Sequence, residues 1–168
     1  MIRHTVKLEV PKGKALDFYN FMTNPTTERY RQWWPGEHLE FYIVKHGDEN
    51  HLGDLVFMDE YLMGKRRLTF HAQVVKVRPP EGNVAGQIVW QMKRLGLFLP
   101  AYVSIVMRDT PKGLVLKHDL LLGHKKLGIL DPFIKLYFNK GFRADLDEHC
   151  RLEWDMLAEM LNSNPNMI

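Results

Sequence analysis

The chain has 168 residues, 45% hydrophobic and 26% charged, which fits one globular domain with a sizeable core and excludes a disordered protein. The formal charge of +3 comes without a Lys/Arg stripe interleaved with aromatics, and no run approaches the ~18 apolar residues of a membrane span, so neither nucleic acid nor stable membrane insertion is expected. A start without a signal-peptide run and a single cysteine, Cys150, point to a reducing, cytoplasmic setting with no internal disulfide.

Thr5 to Val10 alternates cleanly and reads as a first strand, ended by Pro11 and Gly13. Lys14 to Thr23 reads as a short helix built on Leu16, Phe18, Tyr19 and Met22. Asn24-Pro25-Thr26-Thr27-Glu28 is a helix start, and a second short helix over Arg29–Trp34 stops at Pro35-Gly36. Six strand-like runs follow: Leu39–Lys45, Asp54–Leu62, Arg66–Val77, Gln87–Leu95, Ala101–Arg108 and Leu114–Leu122. Their short connections favour an antiparallel meander. From Asp131-Pro132 to about Leu161 the chain reads as one long helix, bent at Gly141, with Asn162–Ile168 expected to fray. No linker or repeat divides the chain, so one domain is expected over residues 1–168, with its core over 2–161.

This order of elements is α+β. The face of Leu68, Phe70, Ala72 and Val74 opposes Arg67, Thr69, His71 and Gln73, and Ile88, Trp90 and Met92 oppose Val89, Gln91 and Lys93. A long antiparallel sheet with one apolar face can curl around one helix, leaving an apolar cavity between them.

The element order resembles the START-like, or Bet v 1-like (SRPBCC), superfamily, whose helix-grip fold is also called polyketide cyclase-like. The likeness covers residues 2–161. It is carried by Tyr30-Arg31-Gln32-Trp33-Trp34-Pro35-Gly36-Glu37-His38, by Glu60-Tyr61-Leu62-Met63-Gly64-Lys65, and by His149-Cys150-Arg151-Leu152-Glu153. These are similar to an aromatic-Pro-His segment, a Glu before a Gly-Lys turn, and a His-plus-acid pair on the last helix in bacterial members. The resemblance implies a curved sheet of about seven strands on a C-terminal helix. It also implies a pocket for a lipid, sterol, polyketide or hormone, and in some members cyclisation, dehydration or hydrolysis.

On the long helix, Ile134, Phe138, Phe142, Leu146, Leu152, Met156, Leu157 and Met160 fall on one side at ~100° per residue. His149 and Glu153 project into that arc, where a titratable pair costs free energy unless it is satisfied. Either they bond each other in a core, or they form the polar floor of a site. A His–carboxylate couple suits acid–base work. His118 shares a face with Leu114, Leu116, Leu120 and Leu122, as a core histidine or a third catalytic group. Glu60 lies in parity with Val56, Met58 and Leu62, and His38 stands at the rim before the second strand. Glu60, His38, His118, His149 and Glu153 are of the types that hold a divalent metal. Their spacing does not show that they converge, so no metal or other cofactor is expected, with His149, Glu153 and His118 the nearest candidates.

Arg94 ends the face of Ile88, Trp90 and Met92, where it could meet a carboxylate, or snorkel at a strand end. Trp33, Trp34 and Trp90 offer flat walls or core filling. His4, in parity with Val6 and Leu8, and Cys150 read as structural. Leu95-Gly96-Leu97-Phe98-Leu99-Pro100 and Leu127–Phe133 are too apolar for idle loops. They could line an entrance, touch a membrane surface, form a homodimer patch, or tuck over the core.

The expected function is binding of a small hydrophobic or aromatic molecule between sheet and helix. Phe70, Trp90, Met92, Leu116, Phe138, Phe142 and Met156 would form the apolar wall, with His149, Glu153, His118, Glu60, His38 and Arg94 as polar contacts. If catalytic, it would run cyclase-, dehydratase- or hydrolase-type acid–base chemistry. No nucleophile elbow or Gly-rich phosphate loop supports triad or nucleotide chemistry. The alternative is an interaction protein docking a partner or membrane surface through its apolar loops, without catalysis.

Overall fold

Seven alternating runs pair edge to edge into one antiparallel sheet, and two short helices and one long helix cover its apolar face. The computed structural model describes residues 2–11, 13–123 and 139–163. In chain order they form β1 (Ile2–Val10), α1 (Ala15–Thr23), α2 (Thr27–Trp33), β2 (His38–Lys45), β3 (Leu55–Leu62), β4 (Arg66–Arg78), β5 (Gly86–Arg94), β6 (Leu97–Thr110), β7 (Gly113–Leu122) and α3 (Lys140–Ser163). The strand order is β1-β7-β6-β5-β4-β3-β2. This is the α+β helix-grip architecture expected from the sequence.

The sheet curls because its ladders are interrupted. Register shifts fall between Val74 and Lys76 against β5 and between Gln91 and Lys93 against β6, and bulges of this kind sharpen the local twist. α3 packs against β1 at one edge and against β3 and α2 near the other, and α1 lies against β5 and β6. Ala72, Val74, Ile88, Trp90, Leu114 and Leu116 point from the strands into the core between them. Two helix starts are held by polar partners. Thr26 accepts from the Arg29 amide at 3.3 Å, while α1, which lacks a cap of its own, gives its Ala15 amide to Asp109 of β6 at 2.8 Å.

Several local expectations need correction. In α1 the buried face is Ala15, Phe18, Tyr19, Phe21 and Met22, and Leu16 points outward. The long helix begins at Lys140, where Asn139 accepts from the Phe142 amide at 3.0 Å as an N-cap, so a helix running through residue 139 is not what forms. The earlier part of the expected helix, with Ile134 and Phe138, and the Leu127–Phe133 stretch lie outside the described residues. Helical structure extends to Ser163, past the expected fraying point at Asn162. The buried stripe of α3 is Phe142, Leu146, His149, Cys150, Trp154, Leu157, Ala158 and Leu161. Leu152 is exposed and Met156 and Met160 are only half-buried, so the stripe centres on Cys150 and Leu157, and His149, expected at its middle, lies toward its edge. Finally, the apolar Leu95–Pro100 segment is not a loop. Leu95 and Gly96, both at positive φ (49° and 79°), turn the chain in two residues, and Leu97 already pairs with Arg94.

On the outer face, buried Asp119 of β7 accepts from Arg3 at 2.7 Å and lies 2.9 Å from the Lys117 ammonium, with Thr5 completing the set. Burial alone would raise its pKa, but these donors outweigh it and hold the carboxyl below the usual carboxylate range. The resulting stability is present above the unfolded-state carboxylate pKa and lost as pH falls toward the folded-state value. Asp119→Asn is therefore expected to cost about 1–3 kcal/mol at pH 7. Urea titrations at pH 7 and pH 3 should show the difference from wild type shrinking in acid.

Candidate functional site

Two short-range rules each bring a pair of ionisable groups to one face. His38 opens β2 directly opposite Glu60 of β3, and opposed residues in an antiparallel pair project to the same side of the sheet. His149 and Glu153 are four apart on α3 and share its inner face. The docking of α3 against β3 and α2 then brings the pairs together. One ligating atom from each of His38, Glu60, His149 and Glu153 lies within 4.8 Å of all the others.

The chain delivers His38 by a tight turn. After α2 the Trp34 carbonyl accepts from the Glu37 and His38 amides at 3.2 and 3.0 Å, with Gly36 at φ +88° supplying a conformation that side chains disfavour. The Glu37 carboxylate accepts from the Gly64 amide at 2.9 Å, tying this turn to the β3–β4 hairpin. α2 itself supplies an aromatic box. The Tyr30 ring stacks on His38 at 4.0 Å and 4°, and its hydroxyl donates to Glu60. Trp34 stacks on His149 at 4.8 Å, and Trp33 meets His38 edge-on at 4.5 Å. The Trp33 indole N–H also donates to the backbone carbonyl of Glu153 at 2.6 Å, pinning α3 to α2 at the level of the site.

The histidine nitrogens inside this box lack hydrogen bonds. His38 and His149 are buried, and neither nitrogen of either ring has a hydrogen bond among the described residues. His38 Nε2 is 3.5 Å from Glu153 Oε1, within reach of an ion pair but not aligned as a hydrogen bond. The Glu153 side chain is 12% exposed, and Trp34, stacked on His149, is half-buried. Burial pushes the His38 pKa down to about 4 despite the charge of Glu60, and lowers that of His149 against the pull of Glu153. Burial raises Glu60 and Glu153 well above the usual carboxylate range; their mutual repulsion adds to the shift at Glu60. At neutral pH the cluster therefore holds uncharged imidazoles beside carboxyls that are partly protonated.

The other expected contacts are placed differently. His118 faces inward, but its Nδ1 sits 3.2 Å from Cys150 Sγ, outside the four-residue cluster; burial lowers its pKa to about 4. Trp90, Leu116 and Phe142 are core residues, Phe70 and Met156 are half-buried against the core, and Met92 is half-buried. Arg94 is exposed at the tip of the β5–β6 hairpin, because β5 outruns the core there. Phe138 lies outside the described residues. His4 bonds Asp147 of α3 at 2.9 Å, a sheet-to-helix tie. Two surface depressions of about 400 Å³ are present, one flanked by Asn24 and His46 and one by His71 and Leu95, and neither is lined by the cluster. Sequence reasoning missed Tyr30. Its signal was the i, i+3 spacing of Tyr30 and Trp33 just before Trp34 and His38, which puts three aromatics beside one histidine.

No family model matches the chain, and no curated protein matches it. Solved structures do. The chain is similar to a START superfamily protein from Mycobacterium smegmatis, with a TM-score of 0.60 and 17% identity over 95% of this chain and 98% of that one. The chain has the START-like fold. A second match is the di-domain ARO/CYC StfQ from the steffimycin biosynthetic pathway (TM-score 0.59, 16% identity, 98% of this chain and 51% of that one). A third is the Aha1 dimer from Colwellia psychrerythraea (TM-score 0.54, 12% identity, 92% and 98%). At these identities the likeness is one of fold.

A buried polar group without a partner costs about 1–3 kcal/mol. His149→Leu is therefore expected to stabilise the ligand-free protein by about 1 kcal/mol. Denaturant unfolding checks it, and a loss of stability would mean that the ring is already satisfied.

Proposed function

We propose that this START-like protein binds a small apolar or aromatic molecule between its sheet and α3, with the four-residue cluster as the polar end of the site. The reading is carried by one observation: two buried histidines present four unpartnered ring nitrogens beside two carboxyls at the sheet–helix interface. A purely structural core would replace them with apolar side chains at no cost. Trp34 and Tyr30 supply flat surfaces beside the polar atoms, as an aromatic ligand would need. The fold is shared with a protein described as an ARO/CYC of a biosynthetic pathway, which supports ligand chemistry of this kind.

If the protein acts on its ligand, His149 and Glu153 are the acid–base pair. A neutral imidazole accepts a proton, and a carboxyl held high by burial keeps one to donate. On a bound carbonyl compound that pair serves enolisation, and hence aldol-type cyclisation or dehydration. His118, one helix position from His149 through its contact with Cys150, would orient the pair rather than touch the ligand.

Native mass spectrometry of the freshly purified chain, beside a denatured sample, should release one organic molecule per chain. A protein that is apo in every preparation and takes up no aromatic probe would count against ligand binding. With the identified compound, Glu153→Ala should keep binding while lowering any turnover about 10²–10⁴-fold; unchanged turnover would leave a carrier.

A second reading is favoured by the β5–β6 hairpin. Leu95, Leu97 and Phe98 are 95%, 72% and 51% exposed, with Lys93 over the Phe98 ring. Such a tip suits docking to a partner, a second copy or a membrane surface. Leu97→Asp with Phe98→Asp should then abolish self-association or vesicle binding seen for wild type in sedimentation. A wild type that shows neither would remove this reading.

A further inference from the structure

We propose that His38, Glu60, His149 and Glu153 together bind one divalent transition-metal ion. This goes beyond the ligand-binding reading, because it names what fills the polar end of the site and holds with or without an organic ligand.

The argument starts from geometry. A cation held at about 2.0–2.2 Å by nitrogen and oxygen leaves its ligand atoms about 3–4 Å apart. Four ligating atoms already lie within 4.8 Å of one another, so closing on an ion needs side-chain shifts of roughly an ångström. The donor set is also right. Two imidazoles with two carboxylates suit zinc, iron, cobalt, nickel or manganese, whereas calcium and magnesium favour all-oxygen sites. No ring nitrogen makes a well-formed hydrogen bond, although the Tyr30 backbone carbonyl acts on His38, so each histidine keeps a nitrogen free to ligate.

The surroundings are those of a supported metal site. Tyr30 donates to one oxygen of Glu60, leaving the other for the ion, and its ring fixes the plane of His38 by stacking. Trp34 fixes the plane of His149 in the same way. The Trp33 bond to the Glu153 carbonyl holds the helix at the depth at which both of its ligands reach the centre. The two pairs come from a strand pair and from a separate helix, so an ion here would cross-link β2, β3 and α3. Four single-atom protein ligands leave open positions in a five- or six-coordinate shell, which an oxygen of a bound small molecule could fill.

The alternatives make different predictions. Mutual hydrogen bonding within the cluster is opposed by the unpartnered rings, and an organic ligand alone would leave the site indifferent to metals. The full-length chain, stripped with a chelator, is titrated with Zn²⁺ by calorimetry and with Co²⁺ by absorption spectroscopy. The expected result is one ion per chain, visible Co²⁺ bands of a nitrogen–oxygen shell, and a Tm raised by about 5 °C or more with saturating Zn²⁺. His38→Ala and His149→Ala should each weaken Zn²⁺ about 100-fold or more, while His71→Ala, at an exposed histidine of β4, should leave it unchanged. Glu60→Gln and Glu153→Gln, close in shape to the native residues, cover the case in which the histidine variants misfold.

A wild-type chain that binds neither ion, or a folded His38→Ala/His149→Ala double variant that binds as tightly as wild type, would overturn the proposal. A chain that co-purifies an organic molecule yet takes up no Zn²⁺ would overturn it while leaving the ligand-binding reading intact. Uptake of Zn²⁺ by a chain that never holds an organic molecule would support the metal site and count only against that reading.

Discussion

The arrangement of this protein's candidate site depends on Trp33. Its ring packs edge-on against Phe21, Tyr30 and His38 and tilts against Trp154, so it joins α1, α2, β2 and α3 in one aromatic cluster. Its indole N–H is given to the backbone carbonyl of Glu153, a group α3 also uses in its own ladder. That bond fixes both the depth and the rotation of the helix. A turn of 100° about the helix axis would carry His149 and Glu153 away from His38 and Glu60, and the cluster would not exist. A residue that looks like ordinary core filler thus sets the geometry of four ionisable side chains.

The cluster is costly by the standards of the core around it. Leu62, Ile88, Met107, Leu114 and Leu157 are almost wholly removed from water and carry no polar side-chain atom. Among them the fold keeps two histidines, two glutamates and the Tyr30 hydroxyl. Burial answers this by discharging the groups, lowering the histidine pKa values and raising those of the glutamates. Discharging removes the Born penalty but not the loss of hydrogen bonds to water, so the unpartnered rings still weigh on stability. Elsewhere the protein handles buried charge differently. Asp59 and Asp119 are each ringed by donors on the outer face of the sheet, Asp59 by Arg67 and Thr69 and Asp119 by Arg3, Thr5 and Lys117. The contrast marks the inner cluster as a place where polarity is kept for something other than packing.

The apolar hairpin tip stands apart from the cluster in both position and chemistry. β5 and β6 extend beyond the covered face of the sheet, and the two-residue turn at Leu95-Gly96 leaves Leu95 95% exposed and Leu97 72% exposed. A leucine at positive φ is an uncommon choice where Asn or Gly would cost less. The position therefore spends local conformational energy to keep an apolar side chain at the tip.

Strand parity, a helix start within Asn24–Glu28, the inward placement of Glu60, His118, His149 and Glu153, and the α+β order were all legible in the sequence, because periods of 2 and 3.6 are local properties of the chain. The rotation of α3 was read slightly off, since Trp154 was left out of a stripe that Leu152 appeared to fill. Composition and periodicity also could not separate His118 from the cluster, as it shares the inward parity yet is taken up by Cys150. The sequence by itself determined each half of the site: an i, i+4 pair on one helix face, and a histidine opening a strand whose partner carries an inward glutamate. Only the tertiary structure decided that the halves meet. That meeting depends on a bulged β2–β3 register and on the docking of a helix more than eighty residues away from Glu60, and no local period encodes either.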